Sequence, residues 1–173
     1  MVSDSGSRGN TGDLVELARI CEAQAAQEGD ESQRVILYKK AAAAHHELGS
    51  YREEVRCLSL ACSLLEGEER VDCLVMRWGV LITAIAVYRY ETSFEWKGED
   101  ANLDPSYGET IEGYYDGAVD TLDEILRVEG VNRERLLEKL FAECVRRKSE
   151  GGWGADECFS SIDKSFKGSR FHI

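Results

Sequence analysis

The stretch VILYKKAAAAHHELGSYREEVRCLSLACSLLEG, residues 35–67, decides the fold class. Leu37, Ala41, Ala44, His45 and Leu48 recur at helical spacing and stop at Gly49, a residue suited to ending a helix. Ser50 and Glu53 then offer a capping box, after which Val55, Leu58, Cys62 and Leu65 carry a further helix to Gly67. So short a break turns the chain back on itself, and the stretch reads as an antiparallel helical hairpin.

The same punctuation extends in both directions. Upstream, Asp13 with Glu16 opens a helix carrying Leu14, Leu17, Ala18, Cys21 and Ala25, ended near Glu28 and Gly29, and Asp30 with Gln33 opens the next. Residues 1–12 are small and polar without the apolar run of a signal peptide, so they read as a disordered leader. Downstream, Glu68 to Lys97 is apolar on most sides between Leu74 and Tyr88, as expected of a central helix. Its most apolar run, Trp78 to Tyr88, is well short of the roughly 18 residues that suggest a membrane span.

Gly98 to Asp104 reads as a loop, and Asp104 before Pro105 is a favoured cap followed by the one helical position where proline fits. The fifth helix carries Ile111, Tyr114, Tyr115, Ala118, Val119, Leu122, Ile125 and Leu126 to Gly130. The sixth carries Leu137, Leu140, Phe141 and Cys144, and a seventh after Gly151 and Gly152 carries Ala155, Cys158, Phe159, Ile162 and Phe166. With Pro105 the only proline and no alternating β pattern, the expectation is all-α: six to seven antiparallel helices, as repeat-like helical hairpins or an irregular bundle, in one domain, residues 13–167, then a flexible tail, 168–173.

Charge is concentrated. The net charge is −12; residues 91–124 hold 11 acids against Lys97 alone, while residues 1–90 sum to −4 and 125–173 to +2. Such a surface opposes phosphate neutralisation and so nucleic-acid binding. The short run Arg146, Arg147, Lys148 reads as a helix end whose cations complement the macrodipole. The six cysteines form no C-x-x-C pair and have no histidine at zinc-finger spacing, so they read as small core residues in a reducing, cytoplasmic setting.

Catalytic patterns are sparse. No phosphate-binding loop, nucleophile elbow or Glu-x-x-His motif occurs. His45 and His46 are adjacent and so point about 100° apart on a helix, which prevents them from acting as one ligand pair. His45 reads as a packed histidine with a local hydrogen bond. The acids Glu91 and Glu95, then Glu112, Asp116 and Asp120, recur at i, i+4 on consecutive helices, a pattern that can hold Mg²⁺ if the carboxylates converge. Those of the fifth helix lie opposite its apolar stripe and should face water.

Two resemblances bear on function. Tyr38, Ala41, Ala42, the turn Gly49–Ser50–Tyr51 and Ala61 give residues 35–66 the look of one tetratricopeptide repeat, or of the similar hairpins of soluble vesicle-fusion adaptor proteins. Glu54 stands where the repeat usually has alanine, and no proline ends the unit. The resemblance implies a protein-binding groove lined by the first helix of the hairpin, here through Lys39, Ala43 and His46. The acidic block faintly resembles the all-α nucleotide pyrophosphatases, which implies a magnesium-dependent hydrolase using Glu91, Glu95, Glu112 and Asp116 as the alternative. The leading expectation is a non-enzymatic helical interaction module without a cofactor, binding a protein or peptide or associating with itself, with no nucleic acid and no membrane insertion.

Overall fold

Helix formers dominate the sequence, and helices account for nearly all of the described chain. A computed structural model describes residues 8–95, 105–128 and 130–150, with side chains over 11–87, 112–128, 130–132 and 134–147. Its helices are α1 (Arg8–Gln27), α2 (Glu31–Glu47), α3 (Tyr51–Cys62), α4 (Gly67–Glu95), α5 (Pro105–Arg127) and α6 (Arg133–Glu150). The expected seventh helix and the tail, residues 151–173, lie outside the described residues.

Each helix from α2 to α5 packs on its predecessor, and α6 then lies against α4. The turns explain the up-and-down order. Asp30 caps α2 by accepting hydrogen bonds from the amides of Ser32 at 2.8 Å and Gln33 at 3.2 Å. At the other end Gly49 adopts φ 66°, and the amides of Gly49 and Ser50 return to the carbonyls of His46 and His45, both at 2.9 Å. That pair of bonds is a Schellman cap, which needs the left-handed conformation that glycine adopts without steric cost.

Two boundaries differ from the sequence reading, the start of α1 and the end of α3, which stops at Cys62 short of Gly67. The first helix begins at Arg8, ahead of the capping box at Asp13, because a box marks where a helix can start without preventing upstream residues from extending it. Residues 8–12 therefore belong to α1 and not to a leader. Ser50 is the N-cap of α3 but makes no side-chain cap bond, and the Glu53 carboxylate accepts from Arg56 at 2.7 Å. Asn132, which caps the amide of Arg135 at 3.1 Å, is a start signal that the apolar pattern alone did not reveal.

The core centres on α4. Cys73, Leu74, Val75, Trp78, Val80, Leu81, Ile82, Ala84, Ile85 and Ala86 are all buried, covering most directions around the helix axis. All of these but Ala84 and Ala86 share one apolar cluster with Leu58 and Ala61 of α3, Ala118, Leu122 and Ile125 of α5, and Leu136 and Leu140 of α6. Polar contacts pin the same neighbours: Arg77 donates to Thr121 at 3.1 Å and Glu124 at 2.6 Å on α5, and to Ser59 on α3 at 3.4 Å. Burial pushes the Glu124 carboxyl up, but hydrogen bonds from Arg70 and Arg77 outweigh it and hold the group below the usual carboxylate range. At the edge, α1 packs mainly on α2 among the described residues, so Ala18, Cys21 and Ala25 are buried while Leu17 is left exposed.

Trp78 is among the largest fully buried side chains, so Trp78→Ala should destabilise the fold by about 3 to 5 kcal/mol, the usual range for emptying an aromatic site. Urea denaturation measures this, and near-wild-type stability would remove Trp78 from the core.

Candidate functional site

The hairpin α2–α3 carries the residues that the tetratricopeptide resemblance singled out. Ala43 is exposed, Lys39 is half-buried and His46 is half-buried at the C-terminal end of α2. The structure does not bring the three together as one free edge, because His46 belongs to a charge cluster. Its Nδ1 lies 3.2 Å from Glu54 Oε2 and 3.3 Å from Arg147 Nη1, reaching α3 and α6. One ring nitrogen donates to the carboxylate or accepts from the guanidinium, but not both at once.

Arg147 is the centre of this cluster. Its Nε donates to Glu143 one turn earlier at 2.9 Å, and Nη1 and Nη2 stand 3.5 Å from Glu54 Oε1. Arg146 adds two bonds to Glu143, at 2.6 and 2.8 Å, so two guanidinium groups balance two carboxylates. Glu54, Glu143 and Arg147 are all buried, which requires such pairing. The unusual Glu54 thereby gains a role: it receives a cation from a helix 93 residues away. Gly79 of α4 makes room for the cluster, since a Cβ there would stand 2.4 Å from Glu143 Oε1.

The acidic helix behaves differently. Glu112, Asp116 and Asp120 are exposed on α5, on the side away from buried Ala118, Leu122 and Ile125. The side chains of Glu91 and Glu95 lie outside the described residues. Glu124 turns toward α4, to Arg70 at 2.8 Å and to Arg77.

A different set of potential ligands does converge. Glu22 of α1, His45 of α2 and Cys57 of α3 place one ligand atom each within 4.8 Å of the others, and among the described residues this is the group of that kind. Glu22 Oε1 lies 2.9 Å from His45 Nε2 and accepts from the Cys57 thiol at 3.6 Å, while Arg56 holds Oε2. The expected local partner for His45 is therefore replaced by a carboxylate from another helix, because the imidazole projects toward α1 and not along α2. Burial pushes the Cys57 thiol up to about 12, reinforced by the Glu22 charge, which favours the thiol over the thiolate. Burial also raises Glu22, but hydrogen bonds from Arg56 and His45 more than offset it and leave the carboxyl below its ordinary value.

Two surfaces complete the inventory. Between α3 and α5, above α4, lies a groove of roughly 520 Å³ lined by Val55, Leu81, Tyr114 and Gly117 with Arg52 and Asp120 at its rim. On α6, Leu136 and Leu140 are buried, whereas Leu137, Phe141 and Val145 form a second apolar line at i, i+4 and i+8 that faces outward. Among the described residues no helix is long and apolar enough to cross a membrane. No family model, curated protein or solved structure matches the chain.

Because Arg147 neutralises Glu54 inside the protein, Arg147→Ala should cost about 3 to 5 kcal/mol by stranding a buried carboxylate. Chemical denaturation of the variant reads this directly. A loss below about 1 kcal/mol, the worth of an exposed pair, would mean that water reaches Glu54 freely.

Proposed function

We propose that the chain is a non-enzymatic helical interaction module whose working surface is the outer face of α6. The observation that carries this reading is Phe141, 73% exposed and flanked one turn to each side by exposed Leu137 and Val145. Large side chains in a continuous apolar line on a helix that already buries a separate apolar stripe are characteristic of a surface that meets another protein.

The partner must offer an apolar face of its own, since the described bases of α6 are already paired, Arg146 and Arg147 with Glu143 and Glu54, Arg135 and Lys139 with Glu68 and Asp72. Such a face is present in this same chain: α5 exposes Val119 and Leu126 beside Asp116 and Asp120, and carries six acids against Arg127 alone. Self-association through unlike faces, α6 of one copy on α5 of another, is therefore the form of the reading best supported. The hairpin edge supports it less, since His46 is already engaged by Glu54 and Arg147.

Phe141→Glu should leave the fold intact, because the side chain is outside the core, and should abolish self-association measured by sedimentation velocity. Lys39→Glu, on the hairpin edge, should leave association unchanged. Val119→Glu, on the exposed apolar face of α5, should weaken it as well. A wild-type chain that stays monomeric at high concentration, or association that survives Phe141→Glu, would overturn the reading.

A further inference from the structure

We infer that Glu22, His45 and Cys57 form a binding site for a divalent transition metal of the zinc class, joining α1, α2 and α3 through one ion. Zinc bonds of about 2.0 to 2.3 Å in tetrahedral geometry separate neighbouring ligand atoms by roughly 3.4 to 3.8 Å. The carboxylate oxygen is 2.9 Å from His45 Nε2 and 3.6 Å from Cys57 Sγ, so coordination needs side-chain adjustment and no movement of helices. A thiol, an imidazole and a carboxylate match zinc or cobalt; magnesium and calcium prefer all-oxygen shells.

The electrostatics favour the ion as well. Glu22 and Glu53 surround Arg56, which leaves one net negative charge when the imidazole is neutral. On binding, the Cys57 S–H bond breaks and its proton passes to solvent as the metal–sulfur bond forms, while the imidazole proton relocates from Nε2 to Nδ1. Two positive charges then meet one existing and one new negative charge, and the cluster is neutral. Arg56 keeps Oε2 and orients the carboxylate, leaving Oε1 for the metal.

The protein elsewhere sets its buried acids against guanidinium groups, as at Glu54 and Glu143. Here Glu22 Oε1 faces a thiol, a weak donor, together with an imidazole. Partial exposure of Glu22 and His45 gives entry for the ion and for a water as fourth ligand. His45 Nδ1 is buried with no hydrogen-bond partner among the described residues, so the imidazole lacks outer-shell support, and affinity falls below that of closed four-ligand sites.

The test is Co²⁺ added to the full, reduced, metal-free chain, followed by absorption spectroscopy, with Zn²⁺ competition. The inference predicts a thiolate-to-cobalt charge-transfer band saturating at one ion per chain, displaced by Zn²⁺, and a raised Tm on adding Zn²⁺. Cys57→Ser should abolish the band while Cys62→Ser retains it. Glu22→Gln, an isosteric change that keeps the thiol, should weaken binding at least tenfold, which keeps the test decisive if Cys57→Ser does not fold. A purely structural triad gives no band in the wild type. That result, or a band of equal affinity in Glu22→Gln, would overturn the assignment.

Discussion

A helix that is apolar on nearly every side has no solvent face, and α4 imposes that constraint on the whole chain. Its buried residues run from Val71 to Ala86 and can be shielded from water only if several helices surround it. The helices α3, α5 and α6 do so, and each is amphipathic enough to turn its other side outward. The remaining helices extend the array in chain order, with α2 resting on α3 and α1 on α2. Distance from α4 therefore orders the molecule: the edge helix α1 buries alanines and a cysteine, while α4 buries Trp78, Leu74 and Ile85.

Covering α4 brings charged groups inside, and each is matched. Arg77 joins α3 to α5 across α4 through Ser59, Thr121 and Glu124. Arg147 draws the far end of α6 onto the α2–α3 turn through Glu54 and His46. Such pairs add less net stability than apolar packing would, but they discriminate between arrangements, because a displaced α6 would leave buried carboxylates without a cation. Among the described residues the outward line of Leu137, Phe141 and Val145 has no comparable internal explanation, and for that reason it carries the functional reading.

Several local signals were legible in the sequence, although the boxes at Asp13 and Ser50 did not act as read. Asp30 caps as its position implies, Gly49 takes the left-handed turn, α4 is central, and His45 and His46 diverge to different helices. Interactions between distant residues were not legible. Glu22 and Cys57 are separated by 35 residues and Glu54 and Arg147 by 93, and no spacing rule reaches that far. Cys57 was read correctly as buried, yet an apolar stripe is silent about the carboxylate opposite it. The arginine run on α6 drew attention for its place near a helix end, whereas its decisive property is that Arg147 points inward.

Native-state hydrogen exchange tests the primacy of α4 most directly, since it measures the free energy of opening at each amide. If α4 is the element that α3, α5 and α6 enclose, amides between Val71 and Ile85 should exchange only through global unfolding, with the free energy found by denaturation. Those of α1 should exchange through smaller openings that leave α4 protected. Greater protection in α1 and α2 than in α4 would contradict the account and place the stable core in the N-terminal hairpin.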